Sequence, residues 1–216
     1  MKFAQVSERG HVLEPGKPLY DQIKGQWREQ LFGNSNDLVL ELACGRGEYS
    51  TGLAPHFPDR NFVGVDIKGD RLWYGSNVAL RENLTNVAFL RTQIQHLENF
   101  FAPGEVSEIW IIHPDPQLKE SDAKHRLTHP RFLDIYRKVC PPGTWVHLKT
   151  DSRPLFDFTL EVLAGQRIAD LAYTFDLYES PMLAEHYGIS TRYERKFNEL
   201  GHSINYLKFR LLDNEI

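Results

Sequence analysis

Cysteine is nearly absent: Cys44 and Cys140 are the only two in 216 residues, and they stand far apart. Neither a disulfide framework nor a four-cysteine zinc site can be assembled from them, and the cytoplasm is the expected compartment. Long apolar runs are missing as well, so no membrane span is expected. Met1 to Val12 mixes Lys2, Glu8, Arg9 and His11 without an apolar stretch, which predicts no secretory leader. An excess of basic charge is also lacking. With 25 Lys and Arg against 29 Asp and Glu, the formal net charge is −4, which excludes a broad basic coat for nucleic acid and leaves room only for a local patch. Repeats and low-complexity tracts are absent, and Pro and Gly are scattered, so one domain over residues 1–216 is expected, with an N-terminal helical extension over residues 1–36.

What is present is a patterned chain whose 41% hydrophobic content is enough for a buried core. Leu19, Ile23, Trp27 and Leu31 recur every four residues and predict an amphipathic helix that stops at Gly33 to Asn36. Strands are predicted at Leu38–Leu42, Asn61–Asp66, Val87–Arg91, Ser107–His113 and Thr144–Lys149. Helix-length segments follow the first strand up to His56 and lie at Arg71–Glu82 and Pro130–Val139. Strands alternating with helices imply an α/β, doubly wound, mostly parallel sheet. Leu171–Tyr178 and Ser203–Leu211 break that rhythm and fit an antiparallel hairpin at one edge.

The run Glu41-Leu42-Ala43-Cys44-Gly45-Arg46-Gly47 follows the first strand and opens a helix, and Asp66 ends the second strand. Glycines there let backbone approach a ligand, and a carboxylate at the second strand end can accept both ribose hydroxyls of an adenosine cofactor. A dinucleotide fingerprint would need a third glycine where Ser50 stands. Glu41 would face a pyrophosphate badly but suits the cationic amino acid portion of S-adenosylmethionine, so the methyl donor is favoured over a dinucleotide. Cys44 reads as a small packing residue of this loop.

The fourth strand ends in His113-Pro114-Asp115-Pro116, where two prolines fix the backbone and aim Asp115 into the cleft beyond the strand ends. Lys119, Lys124, His125 and Arg126 follow, and Lys149-Thr150-Asp151 stands on the same rim at the end of the fifth strand. An aspartate before a helix also serves as an N-cap, which is the alternative use of Asp151.

The combination of ELACGRG, VGVDIK, PDPQLKESDAKHRL, the KTD strand end and the late TRYERKFNELGHSI resembles the bacterial tRNA (guanine-N(7)-)-methyltransferase family over residues 38–212. The resemblance implies that Glu41 and Asp66 bind S-adenosylmethionine along with the Gly45 and Gly47 loop, and that Asp115 contacts the cofactor and takes part in catalysis. It implies substrate roles for Lys119, Asp151, Thr191, Arg192, Tyr193 and Glu194, and puts Gln93 beside the adenine at the third strand end. The product would be S-adenosylhomocysteine and the partner tRNA, methylated in its variable loop. Gln117 stands where the family has tryptophan, Glu120 and Asp122 thin a basic stretch, and His125 replaces a common arginine.

Methylation of guanine N7 is an in-line displacement by a ring lone pair, so no general base is required. Carboxylates that accept the guanine N1 and N2 hydrogens would stabilise the positive charge arriving on the ring, and Asp115, Asp151 and Glu194 are the candidates. Tyr193 is the candidate for stacking on an extruded base, and Lys119, Lys124, Arg126 and Arg131 for phosphates. The histidines, His113 and His147 among them, show no metal-ligand spacing, and no metal is expected. Monomer and homodimer are both open. Two rivals remain: a related methyltransferase with another RNA or a smaller acceptor, and an RNA-binding relative that has lost catalysis.

Overall fold

Strands that carry apolar residues on both faces need cover on both. In the computed structural model, which describes residues 9–199, 201 and 203–213, eight strands form one sheet. They are β1 (Val12–Leu13), β2 (Asp37–Leu42), β3 (Arg60–Asp66), β4 (Val87–Arg91), β5 (Val106–Ile112), β6 (Thr144–Thr150), β7 (Ile168–Thr174) and β8 (Asn205–Leu211). Their spatial order is β1-β4-β3-β2-β5-β6-β8-β7. Described neighbours pair in parallel except β8, which runs antiparallel to both β6 and β7. The expected α/β doubly wound sheet with an antiparallel C-terminal edge is the observed one.

Five α-helices flank the sheet: α1 (Glu48–Leu53), α2 (Gly69–Arg81), α3 (Pro130–Val139), α4 (Arg153–Ala164) and α5 (Arg192–Glu199). Leu38, Leu40 and Leu42 of β2 turn to the face covered by α3 and α4, while Val39 and Glu41 turn to the face of α1 and α2. Helix α3 shows why its segment folds this way. Phe132, Leu133, Tyr136 and Val139 are buried at helical spacing, and Pro130 occupies the first turn without losing a bond. Each such large apolar side chain contributes about 1.5–3 kcal/mol by leaving water.

The N-terminal segment departs from expectation. Among the described residues of this segment only Trp27–Phe32 is helical, as a π-helix, and residues 14–26 run through turns in which Gly16 and Gly25 adopt left-handed φ of 94° and 75°. Ile23 and Trp27 are nonetheless fully buried, so the apolar spacing marked core residues without marking a continuous helix. Residues 1–8, where no leader was expected, lie outside the described residues. Among the described residues no helix is long and apolar enough to cross a membrane.

From β2 the chain crosses to β3 on one side, and from β5 to β6 on the other, so a crevice opens beyond the carboxyl ends of these two central neighbours.

Candidate functional site

Two strand ends frame the crevice. Ala43 after β2 has φ 54° and His113 after β5 has φ 45°, a backbone region that costs a non-glycine residue about 1–3 kcal/mol. Cavities of about 580 and 440 Å³ open there and share Ala43, Arg71 and His113 in their walls.

The first strand end and its loop act through backbone amides. Glu41 is buried, and its Oε2 accepts from Ser50 N at 2.7 Å and Ser50 Oγ at 2.6 Å, while Oε1 has a 3.4 Å bond from Tyr49 N. The residue standing where a third glycine would be is thus the one that fixes Glu41. Burial pushes the Glu41 carboxyl up to about 7 against the pull of these bonds, so a cation in the larger cavity would ionise it. Gly47 opens α1 at φ 66°, where a side chain would collide with the Phe89 ring, and Gly45 at φ 55° leaves open space. Asp66 accepts from Gly45 N at 2.9 Å and Lys68 N at 2.8 Å, which aims its remaining lone pairs at the smaller cavity. Burial raises the Cys44 thiol well above its usual range, in keeping with a packing role.

Asp66, Gln93 and Asp115 line the smaller cavity together with Ile67, Leu127 and Phe132. Asp115 is exposed and accepts from Gln117 N at 3.1 Å, which holds the proline-flanked turn. Glu41, Gly45, Thr191, Arg192 and Tyr193 line the larger one. Asp151 is set by His113 Nδ1 and the Tyr193 hydroxyl, each at 3.4 Å, and these partners, His113 first, hold its carboxyl below the usual range. The capping role falls to Ser152, which accepts from Leu155 N.

Glu194 lines neither cavity. Its carboxylate is fully buried on Lys149 Nζ at 2.5 Å and the Tyr178 hydroxyl at 2.7 Å. Glu194 N donates to Thr191 Oγ1 at 3.0 Å and Thr191 N donates to Glu194 Oε2 at 3.2 Å, a capping box that starts α5. Burial acts to raise the Glu194 carboxyl, but His113 and Lys149 outweigh it and hold it down to about 2. Lys149, expected on the rim, is inside: its ammonium also donates to the Tyr49 hydroxyl at 2.9 Å.

Lys119 and Lys124 are exposed, as phosphate contacts would need to be. Arg126 is buried instead, clamped on the Gln117 carbonyl at 3.1 Å and over the Phe158 ring at 4.3 Å, so it braces the loop. The residue readings missed Arg46, Arg71 and Tyr74 of the larger cavity, where the Arg46 guanidinium lies 4.1 Å over the Tyr74 ring. Their signal was present: Arg46 sits inside the glycine loop, and the other two open the helix after the second strand. The Glu48 carboxylate, which accepts from Arg192 N at 2.8 Å, was also missed; it ties α5 to α1. Among the described residues, no cluster of His, Cys, Asp and Glu could hold a metal ion.

This arrangement can seat an adenosine-bearing cation across the two cavities and present a flat base beside Tyr193 and Asp151. Residues 35–207 match the family described as "Putative methyltransferase". The chain is 53% identical to a tRNA (guanine-N(7)-)-methyltransferase of Cytophaga hutchinsonii, over 98% of this chain and 96% of that one. It is 44% identical to the protein of the same name from Bacteroides thetaiotaomicron, over 97% and 84%. Among solved structures, a 16S rRNA (adenine(1408)-N(1))-methyltransferase from Catenulisporales acidiphilia superposes with a TM-score of 0.64 at 15% identity, over 94% of this chain and 100% of that one. The 16S rRNA methyltransferase KamB does so at 0.63 and 21%, over 86% and 92%, a likeness of fold.

Proposed function

The chain belongs to the tRNA (guanine-N(7)-)-methyltransferase family, and we propose that it methylates guanine N7 in the variable loop of tRNA, drawing on S-adenosylmethionine held across the two cavities. The observation that carries the reading is the meeting of these cavities at Ala43 and His113, with Glu41 in the wall of one, Asp66 in the wall of the other, and Tyr193, which bonds Asp151, in the wall of the larger. The residues fit the donor. Glu41 Oε1 has room for an ammonium, Asp66 for two ribose hydroxyls, and Gln93 and Ile67 for the edge and face of an adenine. S-adenosylmethionine, when bound, supplies an electrophilic methyl group on sulfur.

The chain's own work is alignment. Tyr193 offers a ring face to the base, Asp115 and Asp151 accept hydrogens from its N1 and N2 edge, and Arg192 and Lys119 meet phosphates. Holding the N7 lone pair in line with the methyl group supplies several of the ~7–11 kcal/mol that orientation can remove from a barrier. Positive charge then arrives on the guanine, and the two carboxylates stabilise it without taking a proton. Glu194 serves from below, by starting α5 and fixing the turn that carries Tyr193. The cytoplasm, where tRNA is modified, is the compartment this reading assigns.

Incubating the purified protein with methyl-labelled S-adenosylmethionine and unmodified total tRNA, followed by nucleoside analysis, tests the reading. Label in 7-methylguanosine that maps to the variable loop is expected. Label elsewhere in tRNA would overturn the position, and donor binding without tRNA labelling would overturn the acceptor.

A further inference from the structure

His113 has no part in the alignment just described, yet it touches three of the residues assigned to the substrate side. Its Nδ1 lies 3.4 Å from Asp151 Oδ1, its Nε2 lies 3.6 Å from Glu194 Oε2, and its ring centroid is 5.3 Å from that of Tyr193. The imidazole is buried, and Nε2 has no hydrogen-bond partner. The backbone is pinned as well, by the left-handed φ and by a 2.8 Å bond from His113 N to the Lys149 carbonyl.

We propose that His113 is a positioning residue for the methylation: as an imidazolium it carries Asp151, the part-exposed carboxylate bonded to the cavity-lining Tyr193, on Glu194, the carboxylate buried beneath it. This rests on the functional reading above. Two arguments make the bridge cationic. A neutral imidazole has one N–H, so one ring nitrogen would turn a lone pair on a carboxylate oxygen, whereas the imidazolium offers a donor to each. The groups facing the ring are Asp151, Glu194, Lys149 and the Tyr193 phenol, which together carry one negative charge in excess, and the imidazolium cancels it where the dielectric is low. Burial pulls the pKa of His113 down, but Asp151 and Glu194 outweigh burial and the opposing Lys149, and it lies above the ordinary 6.5. The bridge is therefore complete below that raised value and is lost as pH rises through it, when the one N–H left on the ring can serve only one of the two carboxylates.

His113→Asn tests the role, because asparagine tolerates left-handed backbone but cannot span both carboxylates as a cation. Its KM for tRNA should rise about tenfold near pH 6, the scale of a lost charge-assisted hydrogen bond, while its Kd for S-adenosylmethionine stays within about twofold. The wild-type KM should rise on the alkaline side, and the variant should lose that limb. An unchanged KM and pH profile, or a change confined to donor Kd, would overturn the proposal. Two-bond ¹H–¹⁵N spectra of the free wild-type protein, with His113 assigned through its contact with the Tyr193 ring, decide the charge even if the variant fails to fold. Two protonated ring nitrogens near pH 6, below the raised value, support the bridge, and one bare nitrogen there overturns it. A wild-type protein that labels no tRNA defeats the functional reading and the catalytic purpose of the bridge together, while the spectrum still reports whether the bridge exists.

Discussion

The proposed donor side and the proposed acceptor side of the cleft are built by different means. On the donor side, Glu41, Gly45, Gly47 and Ser50 lie within one strand–loop–helix turn, and the carboxylates of Glu41 and Asp66 are aimed chiefly by backbone amides. On the acceptor side, His113, Lys149, Asp151, Tyr178 and Glu194 come from distant parts of the chain and aim one another through side chains. Backbone amides are placed by the strand and helix themselves, so the donor side depends on few side-chain identities. The acceptor side depends on each member of its network, because a buried charge without its partner is costly.

That difference can be broken most sharply at Lys149. Lys149→Met keeps the length of the side chain but leaves Glu194 buried without its ammonium, and should cost about 3–5 kcal/mol in urea unfolding; a loss below about 1 kcal/mol would mean that the pair does not hold the acceptor side. The sign with pH follows from Glu194, whose carboxyl is held down to about 2. Its contribution is present above its ordinary value of 4.5 and lost as pH falls through about 2.

Asp115 is exposed and sits outside that network, so Asp115→Ala should fold as the wild type does. Its kcat/KM for tRNA methylation should drop about 100-fold or more, and wild-type turnover would remove it from the site. Glu41 sharpens the donor side. Because burial raises its carboxyl to about 7, its contribution to folding is present below 4.5 and lost as pH rises through about 7, and a cationic donor reverses that preference. Calorimetric affinity for S-adenosylmethionine should therefore tighten about tenfold from about pH 6 to about pH 8, and Glu41→Gln should flatten the dependence. A wild-type affinity that does not vary with pH would deny the ammonium contact. The smallest effect is expected at Thr191, where Thr191→Ala removes one cap of α5 and should lower the unfolding free energy by about 1 kcal/mol, with Thr191→Ser restoring most of it.

How much could be read beforehand divides along the same line. The glycine loop, Glu41 and Asp66 were legible because a strand, a turn and a helix in succession place them whatever the rest of the chain does. Asp115 was legible because its flanking prolines fix it locally. The spacing Thr191-x-x-Glu194 is also a capping box on its face, while the resemblance implies two substrate contacts, and nothing in the run TRYE says which way Glu194 turns. The strand-end position of Lys149 and the polar loop around Arg126 predict a rim, yet each is buried because a partner from elsewhere in the chain receives it. The N-terminal periodicity predicted a helix and delivered buried side chains on turns that end in one short π-helix, because Gly25 interrupts the local geometry while tertiary contact still buries Ile23 and Trp27.

By itself the sequence determined the central parallel strands, the antiparallel edge, the glycine loop between two strand-end carboxylates, and the family, because these rest on periodicity and on contacts between near neighbours in the chain. The tertiary structure alone decided which carboxylate stays part-exposed, which is buried, and that His113 stands between them. Those choices depend on strand ends more than thirty residues apart meeting on one face of the sheet, and on how the opposing charges brought there pair when water is excluded.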